Sequence, residues 1–328
     1  NYYNGISRKK KGKKFFYYYI KNNKEDKKNI VLKRIMKLRI PPAWKNVWIS
    51  TNKNNNIQVV GTDSKGRKQY KYHEKHIQEA EKNKFIKLYD FIKSIPKLER
   101  TMSRHRRTKH VYSKESVIVS MLWIVKTVHM RVGKECYAKK NKSYGVSSLL
   151  KKHVKFDGNK IIFNFKGKSN KRLHYVINNK TLKSHISILM KLKGIKLFQY
   201  IDSNETIRKI SDTDINQYIQ RYMGPDFTCK DFRTYASNNY FIKALLKETR
   251  NRLPKNKKVI KKNILNSLKN TAFYLKHTKA ISKKSYVMNF TIEMYENNPE
   301  YFTERKYDHP NTVLLELIRL YKNKVLNL

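Results

Sequence analysis

The chain has 328 residues, of which 39% are hydrophobic and 12% are aromatic, so it can bury a sizeable core as two domains or one large one. Its 75 lysines and arginines outnumber 24 acidic residues, which gives a formal net charge of +51. This charge predicts a polyanionic partner, nucleic acid first and an anionic membrane surface as the alternative. No segment has the roughly 18 uninterrupted apolar residues of a membrane span, so the sequence excludes one.

The cysteine and histidine patterns argue against a disulfide framework and a metal site. Cys136 and Cys229 lie far apart with no CxxC motif, and the ten histidines show no HExxH or other metal-ligand spacing. No secretory signal peptide is visible either. We therefore expect no protein-bound metal and an intracellular, reducing compartment.

The N-terminal part of the sequence predicts a small β-rich domain, residues 1–95. The segment RIPPAWKNVWIS ends in alternating apolar and polar residues. The following NIQVVGTDSKGRKQYKYH predicts two strands, Ile57 to Gly61 and Lys68 to Tyr72, around a glycine-containing turn. From Glu74 the apolar residues recur at near-helical spacing, and we expect this helix to stop before Pro96.

A basic segment and a mainly helical domain follow. The segment PKLERTMSRHRRTKH predicts a linker over residues 96–112 that can lie on phosphates, and residues 113–328 form the second domain. There, SVIVSMLWIVKTVHM is typical of a buried helix, whereas VKFDGNKIIFNFKGKSNKRLHYVI has turn signals at 157–159 and 167–170 that predict β-hairpins. Further helices are predicted over 181–192, 214–223, 231–247, 258–275 and 312–324.

The segment HTKAISKKSY places Tyr286 nine residues after His277. With 23 tyrosines in the chain, one tyrosine is weak evidence for a nucleophile. A phenol has a pKa of about 10, so only roughly one in a thousand is ionised at pH 7. To attack a phosphodiester without a metal, it needs cations on the non-bridging oxygens and a proton donor for the leaving 5′ oxygen.

Three segments place cations in unusual settings. Arg131 ends an apolar helix in HMRVGKECYAKKNKSYG, Lys168 lies at a predicted hairpin tip in FKGKSNK, and Arg233 falls in the first turn of the helix KDFRTYASNNYFIKALL. An arginine fork pairs with two phosphate oxygens, and a lysine can donate a proton. A cation is unfavourable at a helix N-terminus, so Arg233 favours an anionic partner. Taken singly, each of the three can equally be a surface charge.

The order and spacing of these residues resemble the catalytic set of type IB DNA topoisomerases, especially the small enzymes of poxviruses, other large DNA viruses and some bacteria. The matching residues are Arg131, Lys168, Arg233, His277 and Tyr286. RIPPAWKNVW and GTDSKGRKQYKY resemble the family's N-terminal domain. RVGKECYAKKNKSYGVSSLLKKHV, FKGKSNKRLHYV, KDFRTYAS and HTKAISKKSY resemble its catalytic motifs, so the resemblance covers roughly Arg39 to Tyr286.

The resemblance implies an α+β fold. A small antiparallel β-rich N-terminal domain and a larger, mainly α-helical catalytic domain, of a kind shared with tyrosine recombinases, would form a clamp around duplex DNA. It also implies an isomerase that relaxes supercoiled DNA by transient single-strand cleavage through a 3′-phosphotyrosyl intermediate, strand rotation and religation. Neither ATP nor an essential metal is expected, and the sequence has no GxxxxGK[ST] motif. We expect a monomer on double-stranded DNA, in a virion or a cytoplasmic viral factory.

The resemblance assigns a role to each catalytic position. Tyr286 attacks the phosphodiester, and Arg131 and Arg233 hold the non-bridging oxygens. Lys168 acts as general acid toward the 5′ oxygen, with help from Arg131. His277 donates a hydrogen bond to a phosphate oxygen instead of binding metal. Because the covalent link conserves the bond energy, religation needs no ATP.

The resemblance also implies contacts with DNA outside the catalytic set. Gln69, Tyr70 and Tyr72 match positions at which the poxvirus-type enzymes touch DNA, and Lys134, Tyr137 and Lys230 are the further contacts that we expect. Glutamine can pair with adenine through two hydrogen bonds, and tyrosine can donate to base edges or phosphates. Strand alternation puts Tyr70 and Tyr72 on one face with Lys68, although an ordinary solvated strand face would show the same pattern. Lys230 matches a lysine that supports the second arginine.

Two alternatives stay open from the sequence. A tyrosine recombinase uses a related fold and the same Arg-Lys-Arg-His-Tyr logic, but it usually has His-x-x-Arg where Lys230 precedes Arg233 here. A non-enzymatic DNA-compacting protein needs only the charge of +51, part of which can be lysine drift in an AT-rich genome. Substituting Tyr286 separates these classes, because only an enzyme loses strand cleavage. Residues 1–30 and the tail after about Asn289 match nothing in the family.

Overall fold

The computed structural model describes residues 4–25, 29–107 and 110–326, so residues 108 and 109 of the predicted linker lie outside the described part. The chain divides into two compact units, Asn1–Lys84 and Phe85–Leu328. Each unit has a hydrophobic core of its own. The domain boundaries that the sequence predicts, with a linker over residues 96–112, stay a prediction.

An antiparallel sheet of five strands, in the order β2-β1-β3-β4-β5, forms the first unit. Its strands are β1 (Gly5–Lys11), β2 (Lys14–Tyr19), β3 (Lys45–Ser50), β4 (Ile57–Thr62) and β5 (Lys68–Tyr72), and the helix α1 (Asn29–Lys37) precedes β3. Apolar residues of β1, β4 and α1 meet in the core, where Ile6, Val59 and Ile35 are almost fully buried. The strand order leaves β5 at one edge of the sheet.

The two strands predicted around the glycine-containing turn are confirmed as β4 and β5. The sequence does not predict β1 and β2. In β1, GISRKKK, only the first residues are buried, and the basic residues at its end hide the alternation. The pairing of β1 with β2 and β3 is therefore visible only in the folded structure.

The helix α2 extends from Glu74 to Arg106, so the prediction that it stops before Pro96 is wrong. A proline inside a helix removes one backbone hydrogen bond and costs about 3 kcal/mol. Buried residues on both sides of the proline offset this cost, with Phe91 before it and Leu98 and Met102 after it. Tertiary packing thus continues the helix through the first part of the predicted linker.

The second unit is mainly helical and contains two small antiparallel sheets. Its helices are α3 (Lys114–Val128), α4 (Glu135–Asn141), α5 (Lys180–Leu189), α6 (Asp212–Met223), α7 (Cys229–Asn251), α8 (Lys257–Tyr274), α9 (Lys279–Ile281), α10 (Asn289–Asn297), α11 (Pro299–Glu304) and α12 (Pro310–Leu326). Its strands are β6 (Val154–Asp157), β7 (Lys160–Lys166) and β8 (Arg172–Asn178) in one sheet, and β9 (Gln199–Ile201) and β10 (Ile207–Lys209) in the other. The predicted α+β fold, β-rich first and then mainly helical, is confirmed.

The helix α3 lies at the centre of the second unit. It packs against α5, α6, α7, β8 and β9, and Val117, Met121 and Leu122 are fully buried. A helix that is apolar around most of its circumference has to be covered over most of it, and the central position of α3 provides this cover. The five other predicted helices are confirmed as α5, α6, α7, α8 and α12. In the described ranges, every helix is too short or too polar to cross a membrane.

Candidate active site

Arg131 follows α3 in a stretch whose backbone depends on two glycines. His129 ends the helix in the left-handed region with φ 52°, and Gly133 adopts φ 83°. A Cβ at Gly145 would lie 2.5 Å from the Arg131 carbonyl oxygen, so glycine is needed for the two segments to approach. The Val146 N–H donates to that oxygen at 2.9 Å. The Arg131 backbone is thus fixed, and its side chain is half-buried.

Lys168 lies at the tip of the β7–β8 hairpin, and its side chain is exposed. The two strands pair as far as Lys166 and Arg172. Ser169 and Asn170 both adopt left-handed conformations, with φ 63° and 59°. Such angles are costly for residues other than glycine, and strain of this kind is often kept at functional sites.

Arg233 lies in the first turn of α7 and is only 4% exposed. Its guanidinium donates to the carbonyl oxygens of His129 and, at 2.9 Å, of Leu275. Its Nε is buried and has no hydrogen-bond partner among the described residues. Burial, and then the charge of Arg131, lower the pKa of Arg233. The cation therefore lies where a bound anion would stabilise it.

His277 contacts Arg233 through its ring. A guanidinium nitrogen of Arg233 lies 3.3 Å from Nδ1 of His277. Because a guanidinium only donates, Nδ1 accepts and the ring proton is on Nε2, which donates to the buried Ser282 hydroxyl at 2.7 Å. Burial, followed by the charges of Arg233 and Arg131, lowers the pKa of His277 to about 4. The imidazole is therefore neutral at neutral pH.

Tyr286 closes a π-helical turn and stacks on His277, with ring centroids 5.2 Å apart and planes 8° from parallel. The guanidinium carbon of Arg233 lies 5.7 Å from the centroid of the Tyr286 ring. Burial raises the pKa of Tyr286, but the charge and the hydrogen bond of Arg233 lower it. The charges of Arg131 and Lys168 act in the same direction, so the pKa lies below its ordinary value of 10.0. The five predicted side chains thus come together in the second unit.

Asn238, which sequence reasoning missed, attaches the Tyr286 segment to α7. Its side chain is 1% exposed, and its Nδ2 donates to the Tyr286 carbonyl oxygen at 3.0 Å. Its Oδ1 accepts the Met288 N–H at 2.8 Å. A buried asparagine has to be hydrogen-bonded, so an asparagine inside the apolar stretch after Arg233 was the available signal.

We expect Asn238→Ala to lower the free energy of unfolding by about 2–4 kcal/mol, because two buried backbone groups lose their partner. The rate of DNA cleavage should also fall, because Tyr286 is no longer held against α7. Urea unfolding and single-turnover cleavage measure the two effects. Asn239→Ala, at the next position of the same helix, is the control. Equal stabilities and equal cleavage rates of the two variants would contradict the proposal that Asn238 holds the Tyr286 segment.

Two imidazoles, that of the half-buried His129 and that of the buried His277, make the stability of the second unit depend on pH. Mainly through burial, the pKa values of His129 and His277 fall from 6.5 to about 4. Below pH 6.5 the unfolded chain binds these protons and the folded chain does not, so stability falls as the pH decreases from 6.5 towards 4. We expect the melting temperature to fall over this range, and less steeply in His129→Asn. A melting temperature that rises on acidification would contradict this.

The predicted DNA contacts of the second unit all lie at its surface. Lys134 is the N-cap residue of α4, Tyr137 in that helix is 53% exposed, and Lys230 is exposed in the first turn of α7. Lys134 and Tyr137 follow Arg131 closely in the chain, and Lys230 precedes Arg233 by less than one helical turn. These positions are compatible with DNA contacts close to the catalytic residues.

In the first unit, the predicted contacts lie on both faces of β5. Tyr70 and Tyr72 are exposed on one face, with stacked rings whose centroids are 6.1 Å apart. Gln69 is half-buried on the other face, and its side-chain amide donates to Asp63 at 3.0 Å. The strand therefore presents aromatic rings on one side and a fixed amide on the other.

The groups available for chemistry are a phenol, two guanidiniums, an ammonium and a neutral imidazole. They can attack a phosphodiester, bind its oxygens and donate a proton. Within the described ranges, no group of three or more His, Cys, Asp or Glu side chains is arranged to hold a metal ion. Cys136 is exposed and Cys229 is buried, and both are free.

Known families match most of the chain. Residues 71–310 match the catalytic core of eukaryotic DNA topoisomerase I, and residues 15–63 match the N-terminal domain of bacterial DNA topoisomerase IB. The expectation that residues 1–30 and the tail after about Asn289 match nothing in the family is therefore wrong for residues 15–30 and 290–310. The DNA topoisomerase 1B of Acanthamoeba polyphaga mimivirus is 58% identical over 299 residues, which are 90% of this chain and 89% of that relative.

Two poxvirus proteins match more distantly. The DNA topoisomerase 1 of Rabbit fibroma virus (strain Kasza) is 30% identical over 249 residues, 74% of this chain and 73% of the relative. The DNA topoisomerase 1B of Vaccinia virus (strain Copenhagen) is 28% identical over 245 residues, 73% of this chain and 72% of the relative. These matches confirm the predicted family in preference to a recombinase or a DNA-compacting protein. The chain belongs to the type IB DNA topoisomerases, the isomerases that relax supercoiled DNA.

Proposed function

We propose that the chain relaxes DNA through a covalent 3′-phosphotyrosyl intermediate formed on Tyr286. The Tyr286 oxygen forms a bond to phosphorus and the phenol proton passes to solvent. The bond between phosphorus and the 5′ oxygen breaks, and that oxygen takes a proton from Lys168. After the free end has rotated, the 5′-hydroxyl attacks the phosphotyrosine in the reverse step, so no ATP is consumed.

The observation that carries this proposal is the position of Tyr286, stacked on His277 and beside the buried Arg233. The lowered pKa of Tyr286 increases the phenolate fraction at neutral pH, and a phenolate is the stronger nucleophile. Burial raises the pKa of Tyr175 and Tyr295 as well, and there it prevails, whereas at Tyr286 the neighbouring positive charges outweigh it.

The phosphate is proposed to bind between the two arginines. Arg233 is a buried cation whose charge is disfavoured by burial and by Arg131, and a phosphodiester supplies the opposite charge. The arginine forks then stabilise the negative charge that develops in the transition state. The Nε2–H of His277 donates a hydrogen bond to a phosphate oxygen, and this bond replaces its hydrogen bond to the Ser282 hydroxyl. The neutral ring suffices, because it holds that proton at neutral pH.

Double-stranded DNA is proposed to contact both domains, with residues 1–95 and 113–328 joined by the basic linker 96–112 in a monomeric clamp. The proposed contacts besides the catalytic set are Gln69, Tyr70, Tyr72, Lys134, Tyr137 and Lys230. The net charge of +51 supports a largely electrostatic affinity. Binding should therefore weaken with salt, with a log–log slope of about −0.9 per phosphate neutralised.

The proposed reaction needs no divalent metal, because the cations that stabilise the phosphate belong to the chain. It needs no ATP, because the phosphotyrosyl link conserves the energy of the broken bond. The relatives are viral proteins, which supports action on viral DNA in a virion or a cytoplasmic viral factory. A reducing compartment there would keep Cys136 and Cys229 as thiols.

Relaxation of a negatively supercoiled plasmid in EDTA, without ATP, tests the proposed function. We expect relaxation, and after denaturation we expect protein bound to the 3′ end of the cleaved strand, whose partner end has a 5′-hydroxyl. Proteolysis and mass spectrometry should place the nucleotide on the peptide that contains Tyr286. A strict requirement for Mg²⁺, or a link to the 5′ end, would contradict the proposal.

A further inference from the structure

One carboxylate, that of Asp63, organises the turn between β4 and β5. Its Oδ1 accepts the backbone N–H groups of Lys65 at 2.9 Å and of Arg67 at 3.0 Å. Gly66 is the left-handed residue of the turn, with φ 72°. The Oδ2 atom of Asp63 accepts hydrogen bonds from the Arg67 guanidinium, at 2.8 Å from Nε and 2.7 Å from a terminal nitrogen. The turn and the Arg67 side chain are thus held by the same group.

The same Oδ2 atom also accepts the side-chain amide of Gln69, at 3.0 Å. The Asp63 side chain is only 13% exposed. Hydrogen bonds from Arg67 lower the pKa of Asp63 to about 2, so the carboxylate is ionised at neutral pH. An ionised carboxylate accepts hydrogen bonds and cannot donate them, so only the nitrogen end of the Gln69 amide can face it.

The orientation of this amide decides what Gln69 offers to a base. One N–H and the carbonyl oxygen are not bound to Asp63. Pairing with adenine uses one amide oxygen and one amide N–H in a defined order, and an amide turned by half a rotation offers them in the reverse order. We propose that Asp63 is a positioning residue that fixes the orientation of the Gln69 amide and thereby sets the base preference at one position of the DNA.

The inference rests on the proposed contact between Gln69 and DNA. β5 is an edge strand, and the major groove admits a two-stranded ribbon such as the β4–β5 hairpin. Both faces of an edge strand lie beside its open edge, so a groove that receives this edge does not require Gln69 to share the face of Tyr70 and Tyr72. An acidic residue at such a turn repels phosphates, and the pairing of Asp63 with Arg67 reduces that repulsion.

The chain contains a second turn of the same design that lacks the glutamine. Between β9 and β10, Asp202 accepts the backbone N–H groups of Asn204 and Thr206, both at 3.0 Å, and the Arg208 Nε at 2.8 Å. Glu205 is its left-handed residue, with φ 58°. Asp202→Asn therefore removes the same charge as Asp63→Asn and weakens an equivalent set of turn contacts, but it does not affect a glutamine.

The distribution of cleavage sites tests the inference. Each variant is incubated with a library of duplex DNA, the covalent complexes are collected, and the bound 3′ ends are sequenced. We expect the preference at one position to fall about tenfold in Gln69→Ala and about threefold in Asp63→Asn, with other positions unchanged. The double variant should match Gln69→Ala, because Asp63 acts through Gln69. Asp202→Asn should keep the original profile.

The outcomes separate this inference from the proposed function. An unchanged profile in Asp63→Asn, with the loss present in Gln69→Ala, would overturn the positioning role and leave the DNA contact intact. An unchanged profile in Gln69→Ala would refute the base contact and this inference with it. An equal loss at every position in Asp63→Asn and Asp202→Asn would show that the carboxylate only stabilises a turn, which also overturns the inference.

Discussion

Tyr286→Phe is expected to lower the rate of covalent DNA cleavage by about 10⁴-fold or more and to abolish plasmid relaxation. Phenylalanine has no oxygen that can bond to phosphorus, yet its ring preserves the stack on His277. The hydrogen bond from Asn238 goes to the backbone carbonyl of residue 286 and not to the tyrosine hydroxyl, so the variant keeps it. DNA affinity and melting temperature should therefore stay close to those of the unchanged protein.

The control for this substitution is Tyr274→Phe, which removes a hydroxyl from a tyrosine of α8 that is 57% exposed. This variant should cleave and relax DNA at the original rate. Single-turnover cleavage of a labelled duplex measures the chemistry, and fluorescence anisotropy measures DNA binding. If Tyr286→Phe cleaves within about tenfold of the original rate, another residue is the nucleophile.

Arg233→Ala is expected to have the second largest effect, a loss of about 10³-fold in cleavage rate. The substitution removes a phosphate ligand and the hydrogen-bond donor to His277 Nδ1. It also removes a positive charge that lowers the pKa of Tyr286, so less phenolate is present at neutral pH. Three contributions to one step are lost together, which is why the effect is large for a residue that forms no covalent bond.

Arg233→Lys shows whether charge by itself is enough. A lysine keeps the charge, but it cannot replace the planar fork that donates to the carbonyl oxygens of His129 and Leu275. We expect this variant to cleave about 10²-fold more slowly than the unchanged protein. Cleavage by Arg233→Lys at the original rate would show that the fork geometry is dispensable.

The pH profile distinguishes lost chemistry from lost structure in Arg233→Ala. Loss of the positive charge raises the pKa of Tyr286, so the cleavage rate should continue to increase with pH beyond the point at which the unchanged protein levels off. Arg221→Ala, which removes an exposed arginine of α6, is the control and should keep both rate and profile. A slower Arg233→Ala with an unchanged profile would contradict its role in activating Tyr286.

The elements that could be predicted from the sequence are those whose pattern is local. The helix α3 is largely apolar, β4 and β5 are short runs on either side of a glycine-containing turn, and β7 and β8 are joined by turn residues. Such signals arise within a few residues and do not depend on distant contacts. The order of chemically distinctive side chains from Arg131 to Tyr286 can also be read directly from the sequence, and it indicated the family.

Other parts of the fold depend on contacts that the sequence does not display. Burial of Leu98 and Met102 carries α2 through Pro96, although the local preference is to end a helix there. Pairing with β3 holds β1 in the sheet, although basic residues fill the exposed end of β1. In both places tertiary packing outweighs a local preference of a few kcal/mol.

The candidate site was decided by the tertiary structure. Arg233 and His277 are 44 residues apart in the chain, and Asn238 and the Tyr286 carbonyl are 48 apart. A hydrogen bond between distant residues leaves no periodicity in either segment. The sequence shows a polar residue in an apolar stretch at Asn238, but it does not show which group Asn238 contacts, and nothing local marks Ser282 as a partner. The sequence by itself determined which reactive groups the chain carries and in what order. Only the fold determined that they come together around Tyr286, with Arg233 and His277 buried and Lys168 exposed. Burial and neighbouring charges there change the pKa values of Tyr286 and His277.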